Sequence, residues 1–270
     1  MKKNVFVLAV AALMAVSCGT TSTSLVILHV NDTHSHHEAM RSGARKGQGG
    51  VIERTAIIDS VRNARGQSNV LLVHAGDFNQ GTSYYTTFGG LLEVDLVNAM
   101  GYDCITLGNH EFDNGLEDLA ARVKKIKCPV LCANVDFSGT PLDGLIKPYA
   151  TFRRGGLKIG VVGATSDLAK MVSASIAARL TQLDNVETVN YWSKYLRSNE
   201  SCDMVIFLSH LGYQEDQDIV PSLHGVDIVI GGHSHTFVDG FVYVADADGK
   251  QVPVITDGCW GYDMGEVIVR

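Results

Sequence analysis

Several features are scarce in this 270-residue sequence, and each scarcity excludes something. Past residue 24 there is no stretch rich in proline or serine that would mark a linker, and no internal repeat or low-complexity block. One domain is therefore expected, and solenoid or array architectures are excluded. No basic run stands out and the formal net charge is −7, so a nucleic-acid polymer is not expected as a partner. The longest apolar run, residues 5–16, is too short for a comfortable bilayer span. Cysteine is also sparse. Setting Cys18 aside leaves Cys104, Cys128, Cys132, Cys202 and Cys259, an odd number, so at least one thiol stays unpaired. Cys128 and Cys132 lie in CPVLCANV, which reads as a buried strand. Four strand residues span about 13 Å, beyond the roughly 7 Å between Cα atoms that a disulfide allows, so both are expected as small buried hydrophobes.

What is present suits a folded core. Hydrophobic residues make up 46 % and charged residues 19 %. The acidity does not exclude an anionic substrate, because bound cations supply positive charge that the count omits. Lys2 and Lys3, the apolar run and the small-residue exit Ser17-Cys18 read as an export signal over residues 1–17. Ala15-Val16-Ser17-Cys18 resembles a bacterial lipobox, which would make Cys18 the lipidated first residue; ordinary cleavage nearby is the other reading. Because the cysteine sits where the apolar run ends, lipidation is preferred. Residues 18–24 would then form a tether and residues 25–270 the folded domain, exported to the periplasm or anchored at the outer membrane through its lipid alone.

Short apolar runs alternate with amphipathic stretches. Strands are expected at residues 25–30, 70–74, 104–107, 130–134, 157–162, 204–208 and 228–230, and helices at 51–63, 91–100, 116–125 and 186–197. Continuous apolar strands separated by helices imply a sheet covered on both faces, hence an α/β fold. Residues 240–270 read as strands and turns, with DADGK a hairpin signal and only faintly like a calcium loop.

The chemistry follows the strands. NDTH, AGDFNQG, GNHEFD, SHLG and GGHSH each come after an apolar run. Loops at the carboxyl ends of parallel strands share one edge, where ligand sites form, so five distant segments are expected to converge. Their Asp, Asn and His side chains are hard-to-borderline metal ligands. Asp77 can bridge two cations; Asp32 with His34, and His233 with His235, are two apart and can aim at one ion; Asn109 offers a neutral oxygen. Two divalent ions bring four positive charges, Asp32 and Asp77 cancel two, and a hydroxide a third. The remainder suits a phosphate dianion. The plainer reading of all seven, with His210, is turn formation and capping. His110 could be a structural loop histidine, and Asp113 a helix N-cap.

The segments LVILHVNDTHSH, GGVIERTAII, LLVHAGDFNQGTSYY, GYDCITLGNHEFDNG, VLCANV, FLSHLGY and DIVIGGHSHT stand in this order across residues 25–236. Together they resemble the calcineurin-like metallophosphoesterases, and more closely the 5'-nucleotidase family of bacterial periplasmic and animal ecto-enzymes. The resemblance implies a four-layer α-β-β-α sandwich of mixed sheets and two divalent ions, Zn or Mn. It places Asp32, His34, Asp77 and His235 at one ion and Asp77, Asn109, His210 and His233 at the other. It makes His110 the catalytic histidine outside the metal ligands, oriented by Asp113, with Asn109 and His110 facing substrate. The implied reaction is hydrolysis of phosphomonoesters, nucleoside 5'-monophosphates foremost, by a metal-bridging hydroxide. A 2',3'-cyclic-nucleotide phosphodiesterase and a nucleotide-sugar hydrolase share the motifs. Family members usually carry a further C-terminal domain that selects the substrate. Here it is expected to be missing, or to come from a separate partner chain. A weakly active phosphate- or partner-binding surface lipoprotein is the non-enzymatic alternative. His74 departs from the pattern, which often has an acid before AGD. His29, His36, His37 and His224 receive no ligand role, and Arg54 is expected to pair with loop carboxylates.

Overall fold

The computed structural model describes residues 24–270 and the backbone of residues 5–8. Apart from residues 5–8, the expected signal, Cys18 and most of the tether thus lie outside the described residues. In chain order the strands are β1 (Val5–Leu8), β2 (Leu25–Val30), β3 (Val70–His74), β4 (Cys104–Thr106), β5 (Val130–Leu131), β6 (Val135–Asp136), β7 (Tyr149–Arg154), β8 (Leu157–Thr165), β9 (Thr181–Gln182), β10 (Met204–His210), β11 (Ile228–Ile230), β12 (Val242–Ala245), β13 (Gln251–Ile255) and β14 (Gly265–Val269). The helices are α1 (Val51–Arg65), α2 (Ser83–Phe88), α3 (Leu91–Met100), α4 (Leu116–Val123), α5 (Leu168–Met171), α6 (Ala174–Ala177), α7 (Asn185–Ser198) and α8 (Tyr213–Ile219).

Two six-stranded mixed sheets result, ordered β1-β14-β2-β3-β4-β5 and β12-β13-β11-β10-β8-β7. Within the first, β2 to β5 run parallel and β14 runs against β2. Within the second, β8, β10, β11 and β13 run parallel, flanked by antiparallel β7 and β12. Strand side chains alternate between faces, so an all-apolar strand must feed two cores. Val26, Leu28 and Val30 of β2 join a core beneath α1, α3 and α4, with Ile58, Val97 and Leu119. Leu25 and Ile27 face the other way, into a core shared with Ile206 and Leu208 of β10 and Ile228 of β11. The far face of the second sheet buries Phe207 and Val229 with Val189 of α7 and Val220 beyond α8. The order of layers is therefore helix, sheet, sheet, helix.

The sequence pattern had one sheet carrying all five loops; two sheets carry them. A continuous apolar run says that both faces are covered without saying whether a helix or another sheet covers them. The expected strand at 130–134 ends at Leu131, because Asn134 turns its side chain across to Thr165, accepting from its N at 2.9 Å and donating to its O at 2.7 Å. β8 and β10 run longer than expected, which puts His210 on the last residue of β10 rather than in a loop. The segment 246–250 is a hairpin turn in which Asp246 accepts from the N–H groups of Asp248 and Lys250. The five described cysteines are free thiols. No helix among the described residues is long and apolar enough to cross a membrane.

Candidate metal centre

The loops after β2 and β3 are zipped together by backbone. Asp32 donates its N–H to Gly76 O, His34 to Asp77 O and Ser35 to Phe78 O, at 3.0, 3.0 and 3.1 Å. Asp32, His34, Asp77, His233 and His235 all adopt positive φ, between 45° and 74°. This region is sterically poor for residues with a Cβ and holds only where the surroundings over-determine it. Tight glycines supply the surroundings. A methyl at Gly108 would overlap the Asp77 carboxylate, and one at Gly232 would press on Ala75 O and His210 Nδ1.

Glu111 clamps these loops and was not singled out from sequence. Its buried carboxylate accepts the N–H groups of Gly108 (2.6 Å), Asp77 (2.9 Å), Phe78 (3.0 Å) and Asn79 (3.2 Å). Burial and the nearby Asp77 charge push its pKa up to about 7. The available signal was its place inside GNHEFD, but the letter alone does not separate a backbone clamp from a surface acid. Glu111→Ala leaves four buried N–H groups unmatched. It is expected to lower unfolding stability by about 3–5 kcal/mol in urea titration.

The expected ligand residues fall into two groups. Asp32, His34 and His235 place one ligand atom each within 4.8 Å of one another, as do Asp77, His210 and His233. His34 Nε2 lies 2.9 Å from His235 Nε2 and 3.9 Å from Asp77 Oδ2, and His210 Nε2 lies 3.1 Å from Asp77 Oδ2. Asp32 ties the groups together, its Oδ2 accepting from His233 N at 2.8 Å. His210 donates from Nδ1 to Ala75 O (2.6 Å), which turns Nε2 toward the acids. His34 Nδ1 makes the same kind of contact with Asn79 O at 3.3 Å.

Among the described residues, three buried atoms here have no hydrogen-bond partner: Asp32 Oδ1, Asn109 Oδ1 and His210 Nε2. Burial draws His210 down, but Asp77 and Asp32 outweigh it and bring it up to about 10. The Asp32 carboxylate, whose Oδ1 lies 3.4 Å from His235 Nε2, and then Cys259 raise His235 to about 10. Burial lowers His34 and His233. Two acids are thus neutralised by protons on two imidazoles, a role divalent cations fill equally well. Oxygen and imidazole donors of this kind suit divalent cations.

His110 stands at the mouth of this cluster, its Nδ1 2.8 Å from Asp113 Oδ2, and that bond raises its pKa. Its backbone N–H donates to Asp77 Oδ1 at 2.9 Å, and one ring nitrogen lies within 4.8 Å of His34 and Asp77 ligand atoms. Asp113 is not a helix N-cap, since α4 begins after Gly115.

The remaining histidines stand apart. His29 pairs with Asp257 at 2.6 Å, His37 with Glu93 at 2.9 Å and exposed His224 with Asp248 at 3.0 Å, while His36 stacks on Trp260. Among the described residues Arg54 forms no ion pair with a loop carboxylate; its guanidinium is buried and donates to His36 O at 3.4 Å. Helical spacing put it on the polar face of α1, but the following loops fold over that face. His74 is buried, and burial, with Arg54 and His210 nearby, depresses it to about 3. The unfolded chain takes up this proton near pH 6.5 and the folded chain only near 3. Stability is therefore full above about 6.5 and falls as the pH drops through that window. His74→Gln is expected to narrow the gap between urea midpoints at about pH 5 and about pH 7.5.

A profile of the calcineurin-like phosphoesterases matches residues 25–237. Mouse 5'-nucleotidase is 32% identical over 296 residues, covering 97% of this chain and 49% of its own length. The crystal structure of a 5'-nucleotidase precursor from Thermus thermophilus superposes with a TM-score of 0.83 at 34% identity, over 90% of this chain and 50% of that one. The NAD nucleotidase of Haemophilus influenzae gives 0.76 at 27%, over 88% and 46%. The chain spans about half the length of the curated relatives it matches.

Proposed function

The chain belongs to the calcineurin-like phosphoesterase family, and from that premise we propose that it hydrolyses phosphomonoesters, nucleoside 5'-monophosphates foremost, with two divalent ions. The observation that carries this reading is the pairing of two N/O ligand groups around Asp32 and Asp77 with the His110–Asp113 pair at their mouth. Asp32, His34, Asp77 and His235 would hold one ion, and Asp77, Asn109, His210 and His233 the other. When bound, such ions neutralise phosphoryl oxygens and lower the pKa of a water.

The chain's own groups supply the rest. Asp113 holds the His110 ring and favours its protonated form, so His110 can donate to a phosphoryl oxygen or to the departing alkoxide. Ala75 O and Asn79 O fix the tautomers of His210 and His34, which keeps Nε2 free for a cation. Glu111 and the glycines keep Asp77 in place. The likeness to an NAD nucleotidase favours one further substrate class, nucleotides joined through a phosphoanhydride.

Residues 1–17 would direct export, and Cys18 would carry a lipid anchoring residues 25–270. The test is a substrate panel on the full chain, loaded with Mn or Zn, comparing 5'-nucleotides, 3'-nucleotides, 2',3'-cyclic nucleotides, nucleotide sugars and a small aryl phosphate. Metal-dependent phosphate release, fastest among nucleotides from the 5' esters, is expected. No metal-dependent release from any member would overturn the reading.

A further inference from the structure

The sequence segments that carry the family resemblance end at residue 236, yet a stretch beyond them closes on the metal loop. The loop between β13 and β14 ties into both ligand-bearing segments. Trp260 donates its N–H to Asp32 O (2.6 Å) and Gly258 donates to Thr236 O (2.9 Å). His29 of β2 pairs with Asp257 of the same loop at 2.6 Å. Asn31 stands where these segments meet, buried and adjacent in the chain to Asp32.

The Asn31 amide is fully used. Nδ2 donates to Asp32 Oδ2 and to Gly258 O, both at 2.6 Å, and Oδ1 accepts from Asp257 N at 2.8 Å. Those partners fix which way the amide faces, because a backbone carbonyl only accepts and a backbone N–H only donates. No other side chain of this size offers two N–H hydrogens and an acceptor together. Aspartate would turn acceptors toward Gly258 O and Asp32, and leucine would leave all three partners unmatched.

The consequence falls on Asp32, whose two oxygens are not equivalent. Oδ2 already accepts from Asn31 Nδ2 and from His233 N (2.8 Å). Oδ1 is buried without a hydrogen bond and lies 3.4 Å from His235 Nε2, 3.7 Å from His34 Nε2 and 4.0 Å from His210 Nε2. We infer that Asn31 is a positioning residue of the metal centre, holding Oδ2 so that Oδ1 alone meets the ion of Asp32, His34 and His235. The inference rests on the two-ion reading above and adds that the β13–β14 loop, through Asn31, sets how tightly that one ion is held. Without the amide the Asp32 carboxylate is free to turn, and its charge no longer points steadily at the ion. The other ion draws on Asp77, Asn109, His210 and His233 and is expected to feel the change far less.

Asn31→Leu keeps a branched side chain and removes all three bonds. Metal-free crystals of the native protein and the variant, soaked in graded Mn and measured at the manganese edge, give the occupancy of each position. Filling the Asp32–His34–His235 position is expected to need about 10–100-fold more Mn in the variant, with the other position filling nearly as in the native protein. Equal weakening at both positions, or an unchanged Asp32–His34–His235 position, overturns the inference, because a general loosening of the fold does not choose between ions. Should the variant fail to fold, the loaded native crystal decides. An ion on Asp32 Oδ1, with Oδ2 still held by Asn31 and His233, upholds the inference, and an ion on Oδ2 or on both oxygens overturns it. A native chain that takes up no Mn overturns the two-ion reading and this inference with it. A native chain that fills both positions while the variant shows no preference overturns this inference alone.

Discussion

Replacing His110 with alanine is expected to lower kcat by about 10²–10⁴-fold while leaving the metal content of the protein unchanged. His110 Nδ1 is engaged by Asp113, and the ring is partly exposed at the mouth of the cluster. Its loss therefore removes a proton donor and opens no core cavity. The backbone N–H that supports Asp77 survives the substitution, so the ligand wall keeps its shape. His110→Ala separates the enzymatic reading from the binding one, since a protein that merely holds phosphate or a partner has no use for a positioned acid. Parallel metal analysis and steady-state kinetics check it. Turnover that survives the change removes His110 from the chemistry.

The second large effect is expected from Asp77→Asn. Asp77 is buried, with one oxygen on His110 N and the other facing His210 and His34. Asparagine fits the same volume and tolerates its positive φ of 54°, so the fold should persist. What changes is charge: an acid facing both ligand groups becomes neutral and turns either an oxygen or an amide group toward the histidines. Metal affinity should fall at both positions, and activity by at least about 10³-fold, about 4 kcal/mol of barrier. Metal titration with unfolding curves of the metal-free proteins checks this. Near-equal metal-free stability with lost metal uptake is the expected pattern.

Much of this architecture was legible because its signals are local. Continuous apolar strands such as 25–30 and 70–74, each followed by Gly, Asp, Asn or His, state both the burial and the position of the polar loops. The hairpin at 246–250 was legible for the same reason. What escaped is non-local. Leu25 and Leu28 read alike, yet one packs on a sheet and the other on helices. α2 and α8, of six and seven residues, show too few apolar positions to set a period. Glu111 and Arg54 carry charges that ordinarily face water; only the folding of distant loops over them turns one into a clamp and the other into a buried cation. The strain at Asp32, His34, Asp77, His233 and His235 is also invisible in the residue letters, and it is the feature that most separates these residues from ordinary turn formers.

The central claim is that loops from two sheets hold two cations against Asp77. Crystals of the purified chain loaded with Mn or Zn and measured across that metal's absorption edge test it most directly. Two anomalous peaks are expected, one within coordination distance of Asp32, His34 and His235, the other of Asn109, His210 and His233, with Asp77 touching both. A map with no peak at saturating metal, or with peaks remote from Asp77, contradicts it.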